Sequence, residues 1–163
     1  MLRLTLICSL CLSLTMASAV NLDSLWGVWN DNTQPDTNRL NALKKIAWDG
    51  YLFSNPDSAY YVSQMRYKLA KEKGLKMHMA STMNTQAIYY QIKGDYVQAF
   101  YHFERNLQIS EEIGNKQGIA SALGNIGQLH MRQGDYEKAM YYAHKSLTIK
   151  EDIGDKKGIT VTL

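Results

Sequence analysis

Four histidines, His78, His102, His130 and His144, are the side chains in this chain best suited to acid–base or metal chemistry. Their spacing argues against both. A helical metal site places ligands three or four residues apart on one face, as in H-E-x-x-H, whereas these four fall in different helical segments or on different faces. Gly124-Asn125-Ile126-Gly127 has the glycines of a phosphate-cradling turn, but it lies inside a helical pattern and no Lys-Ser/Thr follows it. Glu111-Glu112 and Glu151-Asp152 are adjacent acids of the kind used in paired-carboxylate catalysis. They recur at one place in an internal repeat, at the end of a helix, which marks a solvated scaffold feature. An enzyme should show a nucleophile with a base, a carboxylate pair in a cleft, or a fitting ligand set. None is legible here, so the chain reads as non-enzymatic, with no cofactor and no metal.

The elements that position these residues come from self-similarity. At a shift of 40, Gly94-Asp95-Tyr96 falls on Gly134-Asp135-Tyr136, and 14 of the 30 positions from Gly94 to Leu123 are identical in the second copy. A fixed period of this size indicates a repeat array. Two helices of about 18 residues, each near 27 Å, plus two tight turns fill such a period. Short connections force the neighbours to pack antiparallel.

Taken in order, Asp23 is expected to cap a one-turn helix through Leu25–Trp29, in a capping segment 20–35. Trp26 and Trp29 would then cover the apolar end of the array, because terminal units need a cap. Leu40, Leu43, Ile46 and Ala47 make one apolar face of a helix from Asp36 to about Leu52. A second helix follows from Pro56, a residue suited to a helix start. Gly74, Gly94, Gly114, Gly134 and Gly154 are read as stops for successive helices, since glycine tolerates the left-handed cap conformation. The units are therefore 36–73, 74–113, 114–153 and an incomplete 154–163.

The bulk composition agrees with a helical array. Only two prolines interrupt 163 residues, and the net charge of +3 is spread among interspersed acids. Nothing forms the basic stripe that nucleic acid requires. Arg3 and the apolar run Leu4–Met16, closed by Ala17-Ser18-Ala19, have the form of a secretory signal peptide over 1–19. Cys8 and Cys11 lie inside it, so the mature chain would have no cysteine. The expectation is export across the inner membrane to the periplasm, with membrane contact only through an uncleaved anchor or a segment beyond Leu163.

The repeat resembles the tetratricopeptide family in its 40-residue variety. One copy reads Leu123, Ile126-Gly127, His130, Gly134, Tyr136 and Ala139. The copy before it reads Met83, Gln86-Ala87, Tyr90, Gly94, Tyr96, Ala99 and Phe103. The first, with Leu43, Ile46-Ala47 and Ala59, is degenerate, since Ser54 and Pro56 replace the glycine and tyrosine. The resemblance implies an all-α, right-handed α-solenoid of antiparallel helix pairs, with tyrosines filling the gaps between pairs and a concave groove lined by the first helix of each. It also implies a protein or peptide partner in that groove. By resemblance the groove residues are Asn41, Lys44, Trp48 and Tyr51, then Ser81, Asn84, Ile88 and Gln91, then Asn125, Gln128 and Arg132. The carboxylate clamp of some members is incomplete, since the places matching Asn125 hold Thr85 and Lys45.

The expected function is a protein-interaction scaffold. The alternative is the N-terminal sensory region of a longer bacterial signalling protein, because the pattern breaks off at Leu163 inside a first helix. If the leader is cleaved as its pattern indicates, N-terminal sequencing of the exported protein will begin at Val20, and a product retaining Met1 would show an anchor instead.

Overall fold

A computed structural model of the protein describes residues 20–156 and residue 158, so the expected leader and the helix after Asp155 lie almost wholly outside the described residues. Seven α-helices occur among the described residues: α1 Leu22–Asn30, α2 Asp36–Lys45, α3 Pro56–Glu72, α4 Lys76–Ile92, α5 Tyr96–Glu112, α6 Lys116–Arg132 and α7 Tyr136–Asp152. The last five are each 17 residues long. The six helices α2 to α7 stack as the antiparallel pairs α2–α3, α4–α5 and α6–α7, an all-α solenoid.

The helices start and stop where local chemistry requires. Asn55, Asp95, Asn115 and Asp135 each accept a hydrogen bond from the backbone N–H three residues on. Such a cap is worth about 0.5–2 kcal/mol. The five stop glycines all have positive φ, between 65° and 79°. Behind each, the next residue's N–H reaches back across the turn, as from Leu75 to the Ala70 carbonyl at 2.8 Å and from Asp95 to the Tyr90 carbonyl at 2.9 Å. That bond satisfies a carbonyl the helix end would otherwise orphan.

Burial then stacks the pairs. Ala87, Ala99, Phe103, Ile126 and Leu129 form one cluster shared by α4, α5 and α6. Close approach of α6 to α7 needs Gly127, because a Cβ there would stand 3.2 Å from the Ala139 carbonyl oxygen. A second tie recurs two repeats on, at a shift of 80. Arg66 Nε donates to the Leu40 carbonyl at 3.0 Å, and Ser146 Oγ donates to the Ala120 carbonyl at 2.8 Å. Surface clasps recur too. Lys76 pairs with Glu112 and Lys116 with Asp152, while the first pair reverses the signs with Asp36 and Lys73. These are exposed and individually weak.

Three expectations change in the structure. The helix anticipated from Asp36 to Leu52 is α-helical only to Lys45 and continues as a π-helix, Ile46–Tyr51. Leu22, Leu25, Trp26 and Trp29 of α1 pack on the Leu43–Ile46–Ala47–Val62 cluster at that point. Gly50, a poor helix former, lies in the widened turn with Leu22 against it. The leading helix itself is nine residues long and is capped by Asn21 rather than Asp23. The tyrosines divide into two sets. Tyr60, Tyr89 and Tyr90 stack between α3 and α4, with the Tyr60 and Tyr90 hydroxyls 2.9 Å apart. Tyr61, Tyr101 and Tyr141 instead form an exposed column along the outer helices.

Gly127→Leu forces atoms into the α6–α7 contact, and overpacking of this kind costs about 1–3 kcal/mol. A lowered urea midpoint is expected. Gly27→Ala, where no atom lies within 4 Å of the new Cβ, should raise it, by about 0.5–1 kcal/mol.

Candidate functional site

The first helices of the three pairs, α2, α4 and α6, present side chains into one groove of about 1490 Å³, which Asn106 and Ser110 of α5 and Tyr136, Ala139, Met140 and Ala143 of α7 also line. The 40-residue register sets them in columns. Asn41, Ser81 and Ser121 form one column, Lys45, Thr85 and Asn125 another, and Trp48, Ile88 and Gln128 a third. Lys44 and Asn84 lie side by side with them. Asn125 Nδ2 donates to Asn84 Oδ1 at 2.8 Å, joining neighbouring repeats along the groove wall. The centre of the groove is thus rich in amides and hydroxyls, with Lys44, Lys45 and Trp48 at the α2 end.

Of the residues named from the sequence, Lys44, Trp48, Asn84, Ile88, Asn125 and Gln128 line this groove. Tyr51, Gln91 and Arg132 do not. Tyr51 lies in the π-helix and packs on the Leu43–Ile46–Ala47–Val62 cluster. Gln91 and Arg132 sit in the last turns of α4 and α6. Arg132 is also one residue out of register, and Met131, which shares the column of Tyr51 and Gln91, is the residue that faces the groove.

Beneath the groove lies Arg66 of α3, which sequence reasoning missed. It is 3 % exposed. Its Nη1 donates to Thr82 Oγ1 at 2.7 Å and to Ser81 Oγ at 3.2 Å, while Nη2 lies 3.2 Å from His78 Nδ1. Burial lowers its pKa to about 10, so it stays charged at neutral pH, and no carboxylate pairs with it among the described residues. The signal was present in the sequence: Arg66 falls four residues after Val62 and three before Leu69, a cation on an apolar stripe.

Two of the histidines are packing residues. His130 is buried and stacks on Tyr142, ring centroids 5.5 Å apart and nearly parallel. His102 is buried with its Nδ1 3.2 Å from Met83 Sδ. Among the described residues no group of histidine, cysteine or carboxylate side chains could hold a metal ion. No helix among them is long and apolar enough to cross a membrane.

Stacked antiparallel helix pairs with a groove on their first helices define a repeat solenoid. Residues 78–152 match the tetratricopeptide repeat family model. Two solved structures share the fold. The TPR domain of Arabidopsis FLU superposes with a TM-score of 0.64 at 22 % identity, covering 72 % of this chain and 99 % of that one. BtubC (BKLC) from P. vanneervenii gives 0.65 at 18 %, covering 80 % of this chain and 53 % of that one, so the chain matches about half of BtubC's length. No curated protein sequence matches the chain.

Acid should destabilise this fold. Burial holds His102 below its ordinary 6.5, and burial followed by the Arg66 and Lys44 charges does the same to His78. Above about pH 6.5 both are neutral folded or unfolded, and no stability depends on them. As pH falls below that value the unfolded chain takes up protons that the fold resists, so stability declines until the folded-state pKa is passed. Urea midpoints that fall between pH 7.5 and 5, with most of the loss removed in His78→Asn and His102→Asn combined, are the expected result.

Proposed function

We propose that this chain is a non-enzymatic protein-interaction scaffold that holds an extended peptide, or a helix of a partner protein, in the groove formed by α2, α4 and α6. The observation that carries this reading is the groove lined in register by three successive first helices, with amides and hydroxyls at Asn41, Ser81, Asn84, Thr85, Ser121, Asn125 and Gln128. An extended peptide carries an N–H and a C=O at every residue, and the groove's Asn, Ser, Thr and Gln side chains supply donors and acceptors to meet them. Trp48 at one end offers a large, rigid apolar surface of the kind that anchors interfaces.

The scattered charge supports a protein partner over nucleic acid, which needs clustered cations. The leader pattern over residues 1–19 supports export of the scaffold across the inner membrane.

The test is selection of binding peptides from a random display library on the full chain, followed by affinity measurement with groove and outer-face variants. Trp48→Ala and Asn84→Ala should each weaken the selected peptides about tenfold or more, or about 1.4 kcal/mol. Tyr101→Ala, on the exposed outer column, should leave affinity unchanged. Peptides insensitive to the groove substitutions but lost with Tyr101→Ala would overturn the reading.

A further inference from the structure

The contact between Arg66 and His78 has only one possible sense. A guanidinium carries donors and no acceptor, so His78 Nδ1, 3.2 Å from Arg66 Nη2, must accept. That requires a neutral imidazole with its proton on Nε2. Protonation would place a second N–H against a buried cation, turning an attraction into a repulsion between like charges.

The surroundings offer no relief. Arg66 is 3 % exposed, and its partners are the Leu40 carbonyl of α2 and Ser81, Thr82 and His78 of α4, with no acid among them. The charged groups facing His78 are Arg66 from α3 and Lys44 from α2, both cationic. On the α5 side Glu112 is engaged by Lys76. This one guanidinium therefore ties the first helix pair to the second, through the Ser81 and Thr82 hydroxyls and through a histidine that must stay uncharged. The equivalent positions in the later pairs, Asn106 and Ser146, are neutral, so the arrangement is specific to the α3–α4 junction.

We propose that His78 and Arg66 form a pH-sensitive fastening between the first and second helix pairs, closed when His78 is neutral and released when His78 is protonated. Ser81 connects it to the groove, since its hydroxyl accepts from Arg66 and also lines the groove wall. Release of the fastening frees the start of α4 from α3 and changes the spacing between Lys44 and Asn84. The inference rests on the junction alone and holds whatever occupies the groove.

The experiment uses the full chain in two measurements. Imidazole nitrogen NMR of the wild type at pH 7.5 should show His78 as the Nε2–H tautomer with a hydrogen-bonded Nδ1. It should titrate below the ordinary value of about 6.5. Amide hydrogen exchange, corrected for its intrinsic pH dependence, should then show the first turns of α4 opening more readily as pH falls from 6.5 to 5. The change should be about tenfold for each pH unit over which His78 resists the proton. Over the same range the α6–α7 pair should change far less. In His78→Asn the side-chain oxygen can still accept from Arg66 and does not titrate, so the acid opening should vanish. An Nδ1–H tautomer, a His78 titration at or above 6.5, or equal acid opening in His78→Asn would each overturn the proposal. The tautomer measurement decides it on the wild type alone if the variant fails to fold.

Discussion

From α3 onward this architecture depends on the chain reversing direction about every 20 residues at a glycine with positive φ. At Gly74, Gly94, Gly114, Gly134 and Gly154 the backbone enters a region that residues with a Cβ rarely adopt. The left-handed turn closes the preceding helix through a backbone bond and delivers the chain to the next N-cap. Equal spacing of these turns makes the helices equal in length, so their apolar faces meet along their full extent. A lone pair could bury only one of its two faces. Stacking three pairs completes the core, and the same stacking sets the first helices side by side as a groove.

The sequence made this skeleton legible because its signals are short-range and repeated. A glycine, an asparagine or aspartate, and a large ring recur at a fixed shift, and each acts through its own backbone or its immediate neighbours. What the sequence hid depends on contacts between distant segments. The π-helix at Ile46–Tyr51 looks like any helix in periodicity, and it becomes distinct only where α1 presses Leu22 and the two tryptophans against it. Tyr60 and Tyr61 are adjacent and chemically identical, yet one stacks between helices and the other faces solvent. Which is which depends on where α4 brings Tyr89 and Tyr90 against α3.

The groove shows the same division. Lys44, Trp48, Asn84, Ile88, Asn125 and Gln128 could be placed by register, because one helical face repeated at 40 residues generates them. Tyr51, Gln91 and Arg132 lie near helix ends, where a slip of one residue or a widened turn rotates a side chain out of the wall. Arg66 was hidden for a different reason. A cation on an apolar stripe signals an unusual environment, but its partners, the Leu40 carbonyl and the side chains of His78, Ser81 and Thr82, are brought to it only by the fold.

The central claim is that the concave wall, and not the exposed tyrosine column of the outer helices, receives the partner. The most direct measurement is a hydrogen-exchange footprint of the chain with and without a selected peptide at saturating concentration. New protection concentrated in α2, α4 and α6, with α3, α5 and α7 little changed on their outer faces, is the predicted result. Protection confined to the outer helices around Tyr61, Tyr101 and Tyr141, with the groove helices unaffected, would contradict the account.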